Sequence, residues 1–376
     1  MKRTALIMAG GSGERFWPLS RKRKPKQLLP LAGEKTMIEE SIDRISALIP
    51  PEDVFIITGE HLLEPLRNGL PSLPPQNIIA EPYKRNTAPC LALGASFIEA
   101  KYAALGIKSN EISIAVLTAD QNISPLSGFI KTVDAAMNYV ENNPQIATIG
   151  IPPNRPETGY GYIETKDRFS ADNDTAEIKP VLAFREKPSL KTAREFLAAG
   201  NYLWNSGMFF WRLDTFKISM IKNCPSVGDH IDPMRDAYLN MTDDVLDDAL
   251  PEAAPFFKSM PNTSIDYGLM ERADNTVVAR ALFDWDDIGS WDSLDRIREK
   301  DSKGNISEGV TALTDVTDSI IINQAKDRDV IIAGVGLDNT VIVVTDDAGL
   351  VCPKDRVQEV KKCVEIIKED KNDKWL

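Results

Sequence analysis

Residues 8–40 read MAGGSGERFWPLSRKRKPKQLLPLAGEKTMIEE. Gly10, Gly11 and Gly13, with Ser12 among them, follow a short apolar run that ends at Ala9, and Arg15 and Lys26 flank the turn. Glycines let backbone N–H groups approach a phosphate closely, and a helix start beside them favours negative charge. Two familiar glycine motifs do not apply. Phe16 stands where a dinucleotide fingerprint needs its third glycine, and Glu14-Arg15 follows Gly13 where a P-loop needs Lys-Ser or Lys-Thr. Arg21-Lys22-Arg23-Lys24 adds four bases, which read alternatively as a solvated loop or as a nuclear-localisation or nucleic-acid patch. Beside a glycine turn at a strand end, a polyphosphate site explains them better.

The rest of the composition narrows the chemistry. The 376 residues carry a formal charge of −12, which argues against a general nucleic-acid binder. Only His61 and His230 are present, so catalysis has to rest on carboxylates, lysines, arginines and backbone amides. No apolar run approaches the roughly 18 residues of a membrane span, and the N-terminal residues lack the features of a signal peptide. Cys90, Cys224, Cys352 and Cys363 are scattered without metal-ligand spacing, as expected of free thiols in the cytoplasm.

Alternating elements must position these residues. Thr4–Ala9, Val54–Thr58, Ile78–Ala80 and Ile112–Leu117 read as strands, with helical spacing over Lys35–Leu48, Leu62–Leu70 and Ala88–Ala104. Strands apolar along most of their length, separated by helices, predict an α/β fold on a mostly parallel sheet covered on both faces. Functional loops of such a sheet lie at the carboxyl ends of its strands, where the glycine turn and Asp120 fall. Further strands are predicted at Gly161–Thr165, Val181–Phe184 and Met208–Trp211, and helices at Leu190–Ala199 and Thr215–Lys222. After about Asn305 short β-rich runs at Ser319–Ile322, Val330–Ala333 and Val341–Val344 give a hint of a repeat, followed by a helix at Asp355–Glu369. The expected domains are 1–298, a catalytic domain, and 299–376, a small β unit with a terminal helix.

The glycine turn with Pro25-Lys26-Gln27-Leu28-Leu29 resembles the signature of the sugar-nucleotide pyrophosphorylases. Further matches follow in that family's order: Glu81-Pro-Tyr-Lys-Arg85-Asn86-Thr87-Ala-Pro89, Leu117-Thr-Ala-Asp120, Thr158-Gly-Tyr-Gly161-Tyr-Ile-Glu164 and Phe184-Arg-Glu186-Lys187-Pro188. Then come Trp204-Asn205-Ser-Gly207-Met-Phe, Ser264-Ile-Asp266-Tyr and Trp285-Asp-Asp287-Ile-Gly-Ser-Trp291. The resemblance is closest to the guanylyltransferase branch that acts on mannose 1-phosphate.

That resemblance implies a Rossmann-like nucleotidyltransferase domain and a β-helix-like C-terminal unit, as the short members carry. It implies transfer of GMP from GTP to α-D-mannose 1-phosphate with Mg2+, by direct in-line attack of the sugar phosphate on the α-phosphorus. A phosphate dianion is already a competent nucleophile, so the scarcity of histidine fits. Arg15, Lys26, Asp120 and Lys187 are the implied catalytic residues. Ala9, Gly10, Gly11, Ser12, Gly13, Glu81, Arg85 and Asn86 are implied to bind the nucleotide, and Gly161, Glu186, Lys187 and Asn205 the sugar phosphate. Asp120 and Asp287 are the implied metal ligands, preferred over the neighbouring Asp286 because the family's acid lies two residues before the glycine. Read alone, Asp120 is a turn residue, Glu186-Lys187 a surface ion pair and Thr87 a helix cap. Glu164 is placed to reach a sugar hydroxyl, while Trp204, Phe209, Phe210 and Trp211 read as core and pocket wall. Thr118 and Gln121 depart from the family's Leu-Pro-Ala-Asp-His. Open β-coil ends need covering, so a homodimer is expected. The competing expectations are another base or sugar on the same fold, or a non-catalytic regulatory homologue.

Overall fold

The computed structural model describes residues 1–170, 175–240, 250–370 and 373–376. They make up two compact units. The first comprises Met1–Gly10, Ser41–Thr118 and Ile123–Trp285, the second Gly11–Glu40, Ala119–Asn122 and Asp286–Leu376.

The first unit is built on strands β1 (Lys2–Met8), β2 (Val54–Gly59), β3 (Ile78–Glu81) and β4 (Ile112–Thr118). All three pairings among them are parallel, in the order β3-β2-β1-β4. Ala5, Leu6 and Ile7 are buried in succession, which is why β1 shows no polar alternation. Helices Met37–Ser46, Leu63–Gly69 and Thr87–Ala103 make the crossovers. Helix Thr87–Ala103 is apolar nearly all round because it is covered on more than one side. A Cβ on Gly94 would come within 2.5 Å of Leu6, and Phe97 meets Tyr238 edge-on at 5.5 Å. The parallel set puts the carboxyl ends of its strands on one edge, where Ala9 donates its N–H to Ile57 (2.8 Å) and accepts from the Thr58 hydroxyl (3.0 Å).

Beyond β4 the sheet is mixed. Strand β9 (Tyr202–Arg212) runs antiparallel to β4 and to β6 (Ile146–Ile151), and β10 (Thr276–Arg280) pairs parallel with β6. Strands β8 (Ile178–Arg185) and β7 (Tyr162–Thr165) complete it in antiparallel pairings. β5 (Asn122–Ser124) and β11 (Asp284–Asp286) form a two-stranded pair. The parallel character expected of the sheet thus holds for its first four strands. β9 begins six residues before the predicted Met208, since Asn205-Ser206-Gly207 has little strand preference and is held by three neighbouring strands instead.

In the second unit β12 (Ile306–Glu308), β14 (Ile320–Asn323) and β16 (Thr340–Val344) pair parallel, as do β13 (Thr311–Thr314) and β15 (Ile332–Val335). The steps Ile320↔Val341 and Thr311↔Ile332 are of equal sequence length, so the hint of a repeat is a stacked β-coil. Strand β17 (Gly349–Pro353) closes β16 antiparallel, and helix Val360–Glu369 buries Val360 and Val364. Phe16, Leu29 and Leu31 share one apolar cluster with Trp291, Ile306, Ile320, Val341 and Val360. Phe16 and Trp291, both wholly buried, meet edge to face at 5.1 Å. That cluster draws residues 11–40 into the compact unit of the coil, so the compact units are bounded differently from the sequence division at 298/299.

Candidate active site

In the second unit the segment around Gly13 centres on Lys26. Its side chain is buried, and its ammonium donates to Asp120 Oδ2 at 2.9 Å and to the Asp287 main-chain oxygen at 2.6 Å. Gly13 lies at φ 61°, and a Cβ there would stand 2.4 Å from Lys26 Cβ and 2.9 Å from its backbone nitrogen. Only glycine therefore lets the turn rest on Lys26. Gly10 and Gly11 face open space, with nothing within 4 Å of an added Cβ. Ser20 Oγ donates to the Gly13 oxygen (2.8 Å), and Arg15 Nη1 reaches the Gly289 oxygen at 3.4 Å. The cations beside this turn, Arg15 and Lys26, are both held by main-chain oxygens of residues 287–289.

The neighbours Asp286 and Asp287 separate by environment. Asp286 is buried, accepts both Arg296 Nε (2.5 Å) and Nη2 (3.1 Å), and takes the Ile288 N–H at 2.9 Å. Its oxygens are committed to holding the loop. Asp287 lends its main-chain oxygen to Lys26, and its carboxylate lies beside Gly289. Ile288 between them is fully buried at φ 42°, a conformation costly for a β-branched residue. Among the described residues no group of three or more His, Cys, Asp or Glu could hold a metal ion.

The first unit gathers a second set. Lys187, at φ 44°, pairs with Glu186 at 2.9 Å, and that hydrogen bond raises the lysine's pKa. A Cβ on Gly161 would meet Glu186 Oε2 at 2.6 Å, and the Gly161 oxygen accepts the Asn205 N–H at 2.8 Å. Asn205 Nδ2 donates to Asp266 Oδ1 (2.9 Å), while its own oxygen accepts from the Gly207 N–H (3.2 Å) and the Thr148 hydroxyl (3.4 Å). Gly161, Glu186, Lys187 and Asn205 are thus brought together. Burial, and then the nearby Glu186 charge, push the Asp266 carboxyl up to about 6. Asp266 heads a π-helical turn, Asp266–Met270. Sequence reasoning gave this acid no task, although an unassigned acid within an ordered motif match was the available signal. Glu164 pairs with Arg185 at 3.1 Å, Trp204, Phe209, Phe210 and Trp211 are buried, and Tyr160 stands edge-on to Trp204 (5.3 Å) and Trp285 (5.1 Å).

The Glu81–Pro89 segment is tied to the same unit. Asn86, at φ 69°, caps helix Thr87–Ala103 by accepting the Thr87 N–H at 2.9 Å, so the cap is Asn86 and not Thr87. The Thr87 hydroxyl instead accepts the Ile265 N–H (2.8 Å), which fixes the residue before Asp266. Arg85 Nη2 donates to the Lys258 oxygen (3.0 Å), and burial raises the Glu81 carboxyl beside Cys90.

Residues 4–304 match the nucleotidyl transferase family profile. The chain belongs to that family. Residues 310–367 of this nucleotidyl transferase match the mannose-phosphate isomerase/GMP-like β-helix domain. Mannose-1-phosphate guanylyltransferase of Salmonella montevideo is 38% identical over 97% of this chain and 74% of its own length. An Escherichia coli protein of the same name is 37% identical over 98% and 75%. A crystal structure titled mannose-1-phosphate geranyltransferase from Thermus thermophilus superposes with a TM-score of 0.82 at 30% identity, covering 98% of this chain and all of that one. At the two positions that depart from the family motif, the nucleotidyl transferase buries Gln121 and leaves the Thr118 hydroxyl oxygen buried with no hydrogen-bond partner among the described residues.

Proposed function

We propose that the chain transfers GMP from GTP to α-D-mannose 1-phosphate, giving GDP-mannose and pyrophosphate. The observation that carries this reading is Lys26, a buried ammonium beneath a glycine turn whose outer glycines face open space. The named relatives support the choice of base and sugar. A sugar-phosphate oxygen forms the new bond to the α-phosphorus, and the bridge to the β-phosphorus breaks with its electrons leaving on pyrophosphate. No proton has to move, so no histidine is required.

In this reading Ala9, Gly10, Gly11, Ser12 and Gly13 present backbone amides to the triphosphate. Arg15 and Lys26 take up the charge that develops on the β-phosphate as the bond breaks. Glu81, Arg85 and Asn86 contribute to holding the nucleoside. Lys187 anchors the phosphate of the sugar, and Gly161, Glu186 and Asn205 its hydroxyls, with Asp266 orienting the Asn205 amide. Asp120 and Asp287 fit Mg2+, which takes hard oxygens and often only one or two protein carboxylates. The Asp120 carboxylate and the Asp287 main-chain oxygen both accept from the Lys26 ammonium, which keeps the two residues at one place. When bound, the ion would neutralise phosphate charge.

The proposed organisation is a catalytic domain over 1–298 and a β-helix-like unit over 299–376. It is proposed to work in the cytoplasm; no described helix is long and apolar enough to cross a membrane. A homodimer through the coil is part of the proposal, supported by exposed Val310, Ile331, Val335 and Val351. The deciding experiment is a matrix of nucleoside triphosphates against sugar 1-phosphates, read by pyrophosphate release. GTP with mannose 1-phosphate should lead in kcat/KM by at least about tenfold. A different leading pair would change the substrates, and no turnover with any pair would make the chain a non-catalytic homologue.

A further inference from the structure

Four of the bases beside the glycine turn have a setting of their own. Arg21, Lys22, Arg23 and Lys24 line a cavity of about 770 Å3 in the second unit, together with Lys326 and Lys374. Its lining includes none of Gly11, Gly13, Arg15, Lys26, Asp120 and Asp287. The volume is within the range of small-molecule sites.

Six cations here face the side-chain carboxylates of Asp346 and Asp347 and the terminal carboxylate of Leu376, in a chain of net charge −12. Both aspartates already have tasks. Asp347 accepts from Arg21 at 2.8 Å, and Asp346 accepts the backbone N–H groups of Lys326 (2.8 Å) and Asp327 (2.9 Å). Among the described residues Arg23, Lys24 and Lys326 have no carboxylate partner. Nor are the bases on a loose loop. Arg21 and Lys24 exchange two backbone hydrogen bonds of 3.0 Å, and Arg21 Nε donates to the Pro18 oxygen at 2.7 Å. A hairpin that fixes like charges around one cavity keeps their repulsion unless an anion relieves it.

We propose that this cavity binds a small polyphosphate anion, of the diphosphate or triphosphate class, at a site separate from Arg15, Lys26, Asp120 and Asp287. Lysines supply point charges there and Arg23 a fork for two phosphate oxygens. Pro18, Leu19 and Leu376 leave an apolar wall for whatever the phosphates are attached to.

Equilibrium dialysis of labelled pyrophosphate against the full chain, at 0.15 M salt, tests the proposal. Two sites per chain are expected. In the Lys326→Gln/Lys374→Gln variant one of them should weaken at least tenfold, with kcat for nucleotidyl transfer unchanged. In Lys26→Ala the other should be lost and the cavity site kept. If no bound pyrophosphate weakens in the Lys326→Gln/Lys374→Gln variant, whatever the total number of sites, that result would overturn the proposal. So would cavity-dependent binding of an oligonucleotide or of anionic vesicles in place of pyrophosphate. Because dialysis needs no turnover, the outcome stands apart from that of the substrate matrix.

Discussion

Lys26 and Asp120 form an ion pair of 2.9 Å in which the ammonium is almost wholly buried and the carboxylate is 39% exposed. A second, shorter bond from Lys26 to the Asp287 oxygen fixes the ammonium in place. A buried cation held this way is poised for an anion and costs nothing to reorganise when charge develops.

Removing that cation should therefore slow the chemical step and not only weaken binding. Lys26→Ala and Arg15→Ala are each expected to raise the barrier by roughly 2–4 kcal/mol, seen as a fall in kcat as well as a rise in KM for GTP. Gly13→Ala should reproduce much of the Lys26 loss, because its Cβ would collide with the Lys26 backbone. Steady-state kinetics of the three variants check this, and wild-type kcat in Lys26→Ala would refute it.

Asp287→Asn and Asp286→Asn are expected to fail differently. Loss of the Asp287 carboxylate should cut turnover by roughly a hundredfold with little change in folding. Asp286→Asn weakens the Arg296 fork in a buried loop, so its first effect should be a drop in unfolding free energy of about 3 kcal/mol. Melting curves and rates of both variants decide. Equal kinetic defects at unchanged stability would undo the distinction.

Lys187→Ala should raise KM for the sugar phosphate at least tenfold while that for GTP stays within about twofold. Equal losses for both substrates would remove Lys187 from the sugar-phosphate role.

Asp266 carries a pH signature. Its carboxyl is raised to about 6 in the folded chain, so between pH 4 and 6 the folded state binds more protons than the unfolded one. Stability from this group is present below pH 4 and is lost as the pH rises to about 6, by on the order of 2–3 kcal/mol. Asp266→Asn keeps an oxygen for Asn205 and removes the buried charge. It should be more stable than the parent at pH 7.5 and should lack that fall, as denaturant titration at both ends of the window would show.

Much of this was legible in residues alone. Largely apolar runs at Thr4–Ala9 and Ile112–Leu117, short and without helical periodicity, read as strands buried on both faces, and they form β1 and β4, whose carboxyl ends lie beside the glycine turn. Helical spacing over Ala88–Ala104 likewise pointed to a crossover helix, which the structure places at Thr87–Ala103. The resemblance implied that Glu186, Lys187 and Asn205 work at one place, and the structure sets Glu186 and Asn205 beside Gly161 and Lys187 against Glu186.

Tertiary structure decided what chemical type could not. Asp286 and Asp287 are the same residue side by side, and their surroundings differ only once the chain folds: Asp286 takes the Arg296 fork and the Ile288 N–H, while Asp287 gives its main-chain oxygen to Lys26. The resemblance sets Arg15 and Lys26 apart from the other four bases in residues 15–26, but not how each is held. Lys26 is buried against Gly13, while the Arg21–Lys24 hairpin lines a cavity that does not include Lys26. The raised Asp266 carboxyl depends on burial and on Glu186, eighty residues earlier in the chain. Local pattern reports what a residue can do; its partners, brought from far along the chain, determine which of those things it does.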